Sequence, residues 1–356
     1  MANSADSAAP NHAGAPELRW SQNPVQVRIL RGRWVESVHR GAWVLVDADG
    51  GALEGSGDTM ERIFARSSVK AFQALPLIES GAAERFGYQD DELALALASH
   101  DGEPLHLEAV LRVLARLGLG VEHLRCGPQV PADRAVRRDL EARGEPPSAL
   151  HNNCSGKHTG FLAVARHLGA PIEDYLDPAS PGQKLARAAL AEMAGLNAAD
   201  IDVAIDGCSA PTFRLPLANL ATAFARLAAP QNLGQERRAA CERMQRAVAA
   251  NPAHIAGNHR RLCTAIVRAS GGRLFPKIGA EGVYAVGRAG DGPGRGRGFA
   301  LKMDDGDKRG LEPLVVGLLE RFGWLAPAEL AQLERYRGQV LVNRAGLDVG
   351  RTEVAG

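Results

Sequence analysis

Strand-type patterning lies near both ends of this chain, and helical patterning fills the length between them. Near the start, Val25, Val27 and Ile29 alternate with polar residues, Trp34–Val38 follows, and Trp43–Val46 is a short apolar run. Gly32 and Gly41 punctuate these segments, and Asp47–Gly51 has turn composition, so residues 25–48 read as an antiparallel meander. Near the other end, Leu274–Ile278, Gly282–Gly287 and Gly298–Met303 read as strands. The glycine-rich Ala289–Gly298 reads as a flexible loop, Asp304–Gly306 as a hairpin turn, Leu311–Phe322 as a helix and Val340–Val342 as a last edge strand. Between Lys70 and about Ser270, helices are expected over Asp91–Ala98, Pro104–Leu117, Lys157–Leu168, Pro181–Ala194, Leu215–Leu227, Gln235–Ala249 and His254–Ala269; only Ile201–Ile205 alternates like a strand. The simplest closure pairs the terminal strands in one sheet. The expected fold is α/β of the α+β kind: an antiparallel sheet drawn from both chain ends, flanked by helices, plus a mainly helical lobe. Residues 21–66 and 271–350 would form the sheet lobe and residues 70–270 the helical part, with a site in the cleft between them. Residues 1–20 read as a disordered tail.

Composition removes several classes of function. With a formal net charge of +1 and dispersed arginines, nucleic acid is not an expected partner. No apolar run reaches the length of a membrane span, and the first residues lack the basic-then-apolar order of a secretion signal. Cys126, Cys154, Cys208, Cys241 and Cys263 are odd in number and widely spaced, which is no disulfide framework. Reduced thiols fit a cytoplasmic protein.

Three short motifs carry chemistry. Arg66-Ser-Ser-Val-Lys70 runs on into Ala71–Glu79 and reads as a helix start, with Ser67 or Ser68 as cap and Pro76 bending or breaking the helix. Ser67 stands three residues before Lys70, and a neutral lysine on the same helix face can take a serine proton. Ser99-His100-Asp101 follows a helix, and Lys277-Ile278-Gly279 lies in a strand. Penicillin-binding proteins and serine β-lactamases use this order, Ser-x-x-Lys, then Ser-x-Asn, then Lys-Thr/Ser-Gly on a strand. Asp101 and Ile278 depart from that pattern. In such chemistry Ser67 attacks, Lys70 accepts its proton, Ser99 relays a proton to the leaving group, and Lys277 lowers the pKa of Lys70.

A further constellation joins His151-Asn-Asn-Cys-Ser-Gly-Lys-His158 to Asp206-Gly-Cys208. Two cysteines, a lysine and two histidines ahead of helices look like a metal site; the plain reading is one buried free cysteine at each place. Cys126, Cys241 and Cys263 sit in apolar surroundings and read as core.

These stretches, with Ala98–Glu103, Asp206–Pro211 and Phe275–Gly279, resemble the asparaginase II family, the rhizobial-type or class 3 L-asparaginases, from about Val25 to about Val342. The family is similar in fold to serine β-lactamases and glutaminases. The resemblance implies hydrolysis of L-asparagine, Ser67 as nucleophile, and Lys70, Ser99 and Lys277 completing two Ser-Lys pairs. It also implies one zinc per chain held by Cys154, Lys157 and Cys208, with His158 and Asp206 beside the substrate, and a homodimer. Asp206 is a plausible partner for a substrate ammonium, or a turn cap. Two other readings stand beside this one: a related amidohydrolase such as a glutaminase, and a non-catalytic sensor that binds amino acids or zinc.

Overall fold

A computed structural model describes residues 22–290, 292, 294–338 and 340–355. The expected tail over residues 1–20 lies outside them. The strands are β1 (Val25–Arg31), β2 (Trp34–Asp47), β3 (Ala52–Ser56), β4 (Arg62–Phe64), β5 (Asp202–Ile205), β6 (Pro211–Pro216), β7 (Leu274–Ile278), β8 (Val283–Arg288), β9 (Arg297–Met303), β10 (Val340–Val342) and β11 (Asp348–Val354). Eight of them form one antiparallel sheet in the order β10-β11-β1-β2-β9-β8-β7, with β3 on β2. The two chain ends join where β2 pairs with β9, from Gly41 opposite Met303 to Asp47 opposite Arg297. This is the mixed α/β architecture, with one antiparallel sheet drawn from both chain ends, expected from the terminal strands.

Helices cover the sheet. Ala42–Val46 is buried on both faces of β2, which explains its unbroken apolar run. One helix, Leu217–Ala228, packs on β2, β8 and β9, burying Leu220, Ala221, Phe224 and Ala225. Near Lys308–Arg321, Trp43, Phe299, Phe322 and Trp324 form an aromatic cluster with ring centroids 5.3 to 5.8 Å apart. Four helices built around Lys70–Glu79, with Ser155–His167, Pro181–Ala194 and Gln235–Ala250 against it, make the helical part.

Several local expectations change in the tertiary context. Trp34–Val38 and Trp43–Val46 belong to one long strand, because Gly41 does not interrupt it. A Cβ there would come within 2.4 Å of the Lys302 carbonyl oxygen, so the glycine serves close approach of β9. Pro76 does not break its helix, which runs unbroken over Lys70–Glu79. Nearly the whole helix is buried, and that packing outweighs one lost hydrogen bond. Neither Ser67 nor Ser68 caps it; a 3-10 turn over Arg66–Val69 leads in instead. The Leu215–Leu227 helix starts at Leu217, and Pro211–Pro216 ahead of it is β6 in a small sheet ordered β4-β6-β5. The His254–Ala269 helix shrinks to Leu262–Ala269, because the preceding loop gives its carbonyls to another segment. Asp304–Gly306 leads into the Lys308–Arg321 helix and is no hairpin, and β11 beyond β10 had no clear alternation.

Candidate active site

The loop before Leu262 fixes the Ser99 segment. Ser99 N–H donates to Ile255 O at 3.1 Å and Asp101 N–H to Ala256 O at 2.9 Å, while His100 N–H donates across to Asn153 O at 3.2 Å. Arg261 Nη2 donates to Ser99 O at 2.6 Å, and the same guanidinium pairs with Asp101. The His100 ring is also specified: Nδ1 accepts from Gly102 N–H at 3.2 Å, so Nε2–H donates to Ser155 Oγ at 3.0 Å. A backbone tied on both edges holds Ser99 in one place.

Into that place come two lysines from distant elements. Lys70 Nζ donates to Ser99 Oγ at 3.0 Å and to Ala98 O at 2.5 Å. Lys277 Nζ, from β7, donates to the same Oγ at 2.9 Å and to Ile278 O at 3.0 Å. Both lysine amines are fully buried. Burial pulls the Lys70 pKa down, with the Lys157 charge adding to it, and nearby cysteine sulfurs oppose this. Burial first and Lys70 second hold Lys277 well below the ordinary lysine range. Burial is what chiefly depresses Lys70, and the Lys70 charge in turn helps to depress Lys277.

Ser67 and Ser68 have different surroundings. Ser68 is fully buried, its N–H and hydroxyl both donating to Ala65 O, at 3.1 and 2.7 Å. Ser67 is half-buried, and its hydroxyl makes no hydrogen bond within the protein, to Lys70 or elsewhere, among the described residues. The preceding Arg66 has φ 51°, a left-handed conformation that side-chain-bearing residues rarely adopt. Arg66 Nε donates to Asp206 Oδ1 at 2.8 Å, which ties the turn to the loop before Cys208. On the other side, a Cβ on Gly279 would meet Ala65 O at 2.6 Å and Ser68 N at 3.4 Å. The glycine of Lys277-Ile278-Gly279 thus lets β7 close directly onto the serine turn.

The cysteine constellation adjoins this centre. Lys157 Nζ donates to Cys208 Sγ at 3.2 Å, Cys154 Sγ–H donates to Asn153 Oδ1 at 3.0 Å, and Cys208 and Lys70 lie close enough to Cys154 to shift its titration. The thiol pair favours one negative charge: the hydrogen bond from Cys208 holds the Cys154 pKa well below the thiol range, against burial and with help from Lys70 and Lys157. For Lys157, burial lowers the pKa, but the two sulfurs outweigh it and raise the value overall. His158 is fully buried. Tyr175 OH accepts Arg125 N–H at 2.8 Å and lies 2.7 Å from His158 Nδ1; with the phenol donating to Nδ1, the imidazole proton sits on Nε2. That buried Nε2 has no hydrogen-bond partner among the described residues. Asp206 accepts Arg66 and Gly207 N–H on Oδ1, which leaves Oδ2 open. All five cysteines are free and buried, Cys126, Cys241 and Cys263 among them in the core.

Lys70, Ser99 and Lys277 therefore meet at one centre; the turn that carries Ser67 packs against Gly279 of the Lys277 segment, and Lys157 and Cys208 pair nearby. Sequence reasoning missed Arg66, Arg261, His100 and Tyr175, whose roles depend on contacts that leave no periodic signal. Among the described residues, the grouping of His, Cys, Asp or Glu side chains that converges like a metal site is elsewhere, at Glu103, Asp133 and His259.

The L-asparaginase II family model matches residues 27–354. The chain belongs to the L-asparaginase II family. No curated protein matches the chain. Among solved structures it is similar to Mglu in its native form in 4.3 M NaCl, at 16% identity over 85% of this chain and 66% of that one, with a TM-score of 0.39. It is also similar to Mglu in its glutamate form, at 15% identity over 85% and 66% of the two chains, TM-score 0.41. A Bacillus glutaminase in 4.3 M NaCl is similar at 11% identity over 85% and 93%, TM-score 0.36. The family member described here spans just under two thirds of the Mglu chain. No helix among its described residues is long and apolar enough to cross a membrane.

Proposed function

We propose that this chain hydrolyses L-asparagine to L-aspartate and ammonia through a seryl ester on Ser67. The observation that carries the reading is the Ser99 hydroxyl held between Lys70 and Lys277, beside a serine turn whose free hydroxyl is that of Ser67. Ser67 Oγ attacks the side-chain amide carbon, and its proton passes to Lys70. The C–N bond then breaks, and ammonia leaves with a proton delivered through Ser99. Water attacks the ester, Lys70 takes a proton from it, and aspartate is released as Ser67 regains its hydrogen. Backbone N–H groups stabilise the oxyanion. Gly279 N–H is spent on Val283 O at 2.8 Å, whereas Ala280 N–H has no hydrogen bond among the described residues, so Ala280 and Ser67 are the candidate donors. His158 Nε2 and Asp206 Oδ2, which have no hydrogen-bond partner among the described residues, are candidates to hold the two ends of the amino acid.

A lysine amine on one thiol with a second thiol close by suits zinc, which favours sulfur and nitrogen donors. Cys154, Lys157 and Cys208 would hold it, and when bound it would supply a positive charge that orients the substrate. Lys157 must lose its proton to bind, and the sulfurs that raise its pKa without metal become its co-ligands. Untagged protein purified without chelator is expected to carry about one zinc per chain by elemental analysis. Cys208→Ser is expected to lower that content and to raise KM more than it lowers kcat. Equal zinc in wild type, Cys154→Ser and Cys208→Ser would return both cysteines to the core.

The function itself is tested by ammonia release from L-asparagine and from L-glutamine with pure, metal-replete protein. A preference for asparagine by kcat/KM is expected; one methylene in a pocket is worth roughly 1–3 kcal/mol, or 10- to 200-fold. A preference for glutamine would make it a glutaminase. Binding of asparagine by calorimetry without ammonia release would make it a sensor.

A further inference from the structure

The loop that anchors Ser99 continues past Gly257 to the rim of a separate cavity of about 840 Å3. Four arginines line it from three parts of the chain. Arg134 and Arg138 stand one turn apart on the Arg134–Arg143 helix, Arg260 comes from the loop, and Arg335 from the short Glu334–Arg337 helix. Among the described residues none of the four has a carboxylate partner or donates a hydrogen bond; Arg335 only lies over its neighbour Tyr336, at 6.0 Å from the ring centre.

None of the acids of the cavity pairs with these four arginines among the described residues, although Asp133 and His259 on its rim stand close to Glu103. Asp101 is paired with Arg261, which faces the Ser99 backbone. Asp133 caps the arginine helix, accepting Val136 N–H at 2.9 Å. On the adjoining side, Glu334 pairs with Arg337 at 3.7 Å, and Glu312 stands in a neighbouring cavity whose rim shares Arg260 and Arg335. The helix that carries Arg134 and Arg138 also points its positive N-terminal end at the cavity. Arg260 takes its place from a left-handed backbone at φ 51°, as Arg66 does beside the catalytic turn. Cations gathered in a concavity repel one another until an anion enters, and guanidinium forks match phosphate oxygens two at a time. A concave cluster on a chain of net charge +1 fits a small ligand and not a nucleic-acid strand.

We propose that this cavity is a binding site for a small polyvalent anion of the phosphate class, held by Arg134, Arg138, Arg260 and Arg335 and separate from the amidohydrolase centre. The test is calorimetry of the full chain with inorganic pyrophosphate at physiological ionic strength and without added divalent cation. One saturable site per chain is expected. Arg138→Ala and Arg335→Ala are each expected to weaken binding on the order of tenfold, and the double variant on the order of a hundredfold. Both side chains are exposed, so circular dichroism and Tm are expected to match wild type. Ser67→Ala is expected to bind pyrophosphate as wild type does, and L-aspartate not to displace it. No saturable binding, binding seen only at low salt, or equal affinity in the double variant would overturn the site. Displacement by L-aspartate with loss in Ser67→Ala would place the anion at the catalytic centre and overturn its separateness.

Discussion

Ser67→Ala is expected to abolish ammonia release, with a loss on the order of a million-fold in kcat, while the fold and its Tm are kept. Removing the nucleophile of a comparable serine hydrolase costs that much, because the remaining groups act only as a unit with it. The neighbouring Ser68→Ala is the control. Ser68 is fully buried and its hydroxyl closes on Ala65 O, so its loss is expected to cost roughly 1 kcal/mol of stability and only a few-fold in rate. Rates from asparagine, with melting curves for both variants, decide the matter. An active Ser67→Ala beside an inactive Ser68→Ala would move the nucleophile by one residue and undo the proposed mechanism.

Lys70→Met is expected to be the next most damaging change, losing on the order of ten-thousand-fold in kcat as a general base is removed. Methionine roughly keeps the buried volume, but leaves Ala98 O and Ser99 Oγ without the lysine donor. Lys277→Met is expected to lose less, on the order of a hundredfold, and to move the acidic limb of the rate profile to higher pH. The sign follows from two buried amines on one hydroxyl, each of which repels the other when both are charged. The Lys70 charge lowers the pKa of Lys277; a charge on Lys277 would act on Lys70 in the same sense, so losing Lys277 is expected to raise the pKa of Lys70. Its neutral, proton-accepting form then appears only at higher pH. Full pH profiles of kcat/KM for wild type and Lys277→Met check this, and an acidic limb that stays in place would show that Lys277 does not tune the base.

The paired lysines also show how far a sequence can be read. The three-residue interval from Ser67 to Lys70 and the strand carrying Lys277 were legible because helix and strand periods are local properties. So was the joining of the terminal strands, because strand edges must pair with something. The same local signals misplaced the helix over His254–Ala269. Its apolar residues have helical spacing, yet Ile255 and Ala256 give their carbonyls to Ser99 and Asp101, far away in the chain. The Pro76 break failed for a related reason, since burial on several sides outweighs one absent hydrogen bond.

What the sequence by itself determined was the family, the order of the elements and the residue types available for acyl transfer. Spacing along a chain reports which side chains share a face within a turn or two and says nothing of which distant faces meet. Only the tertiary structure decided that Ser99 would lie between Lys70 and Lys277, the latter 178 residues away in sequence. It also decided that Ser68 would be locked onto Ala65 while Ser67 stayed free, and that Cys154 and Cys208 would meet at Lys157. These are consequences of packing between elements, where the burial of a whole helix or sheet face fixes the position of each polar group it carries.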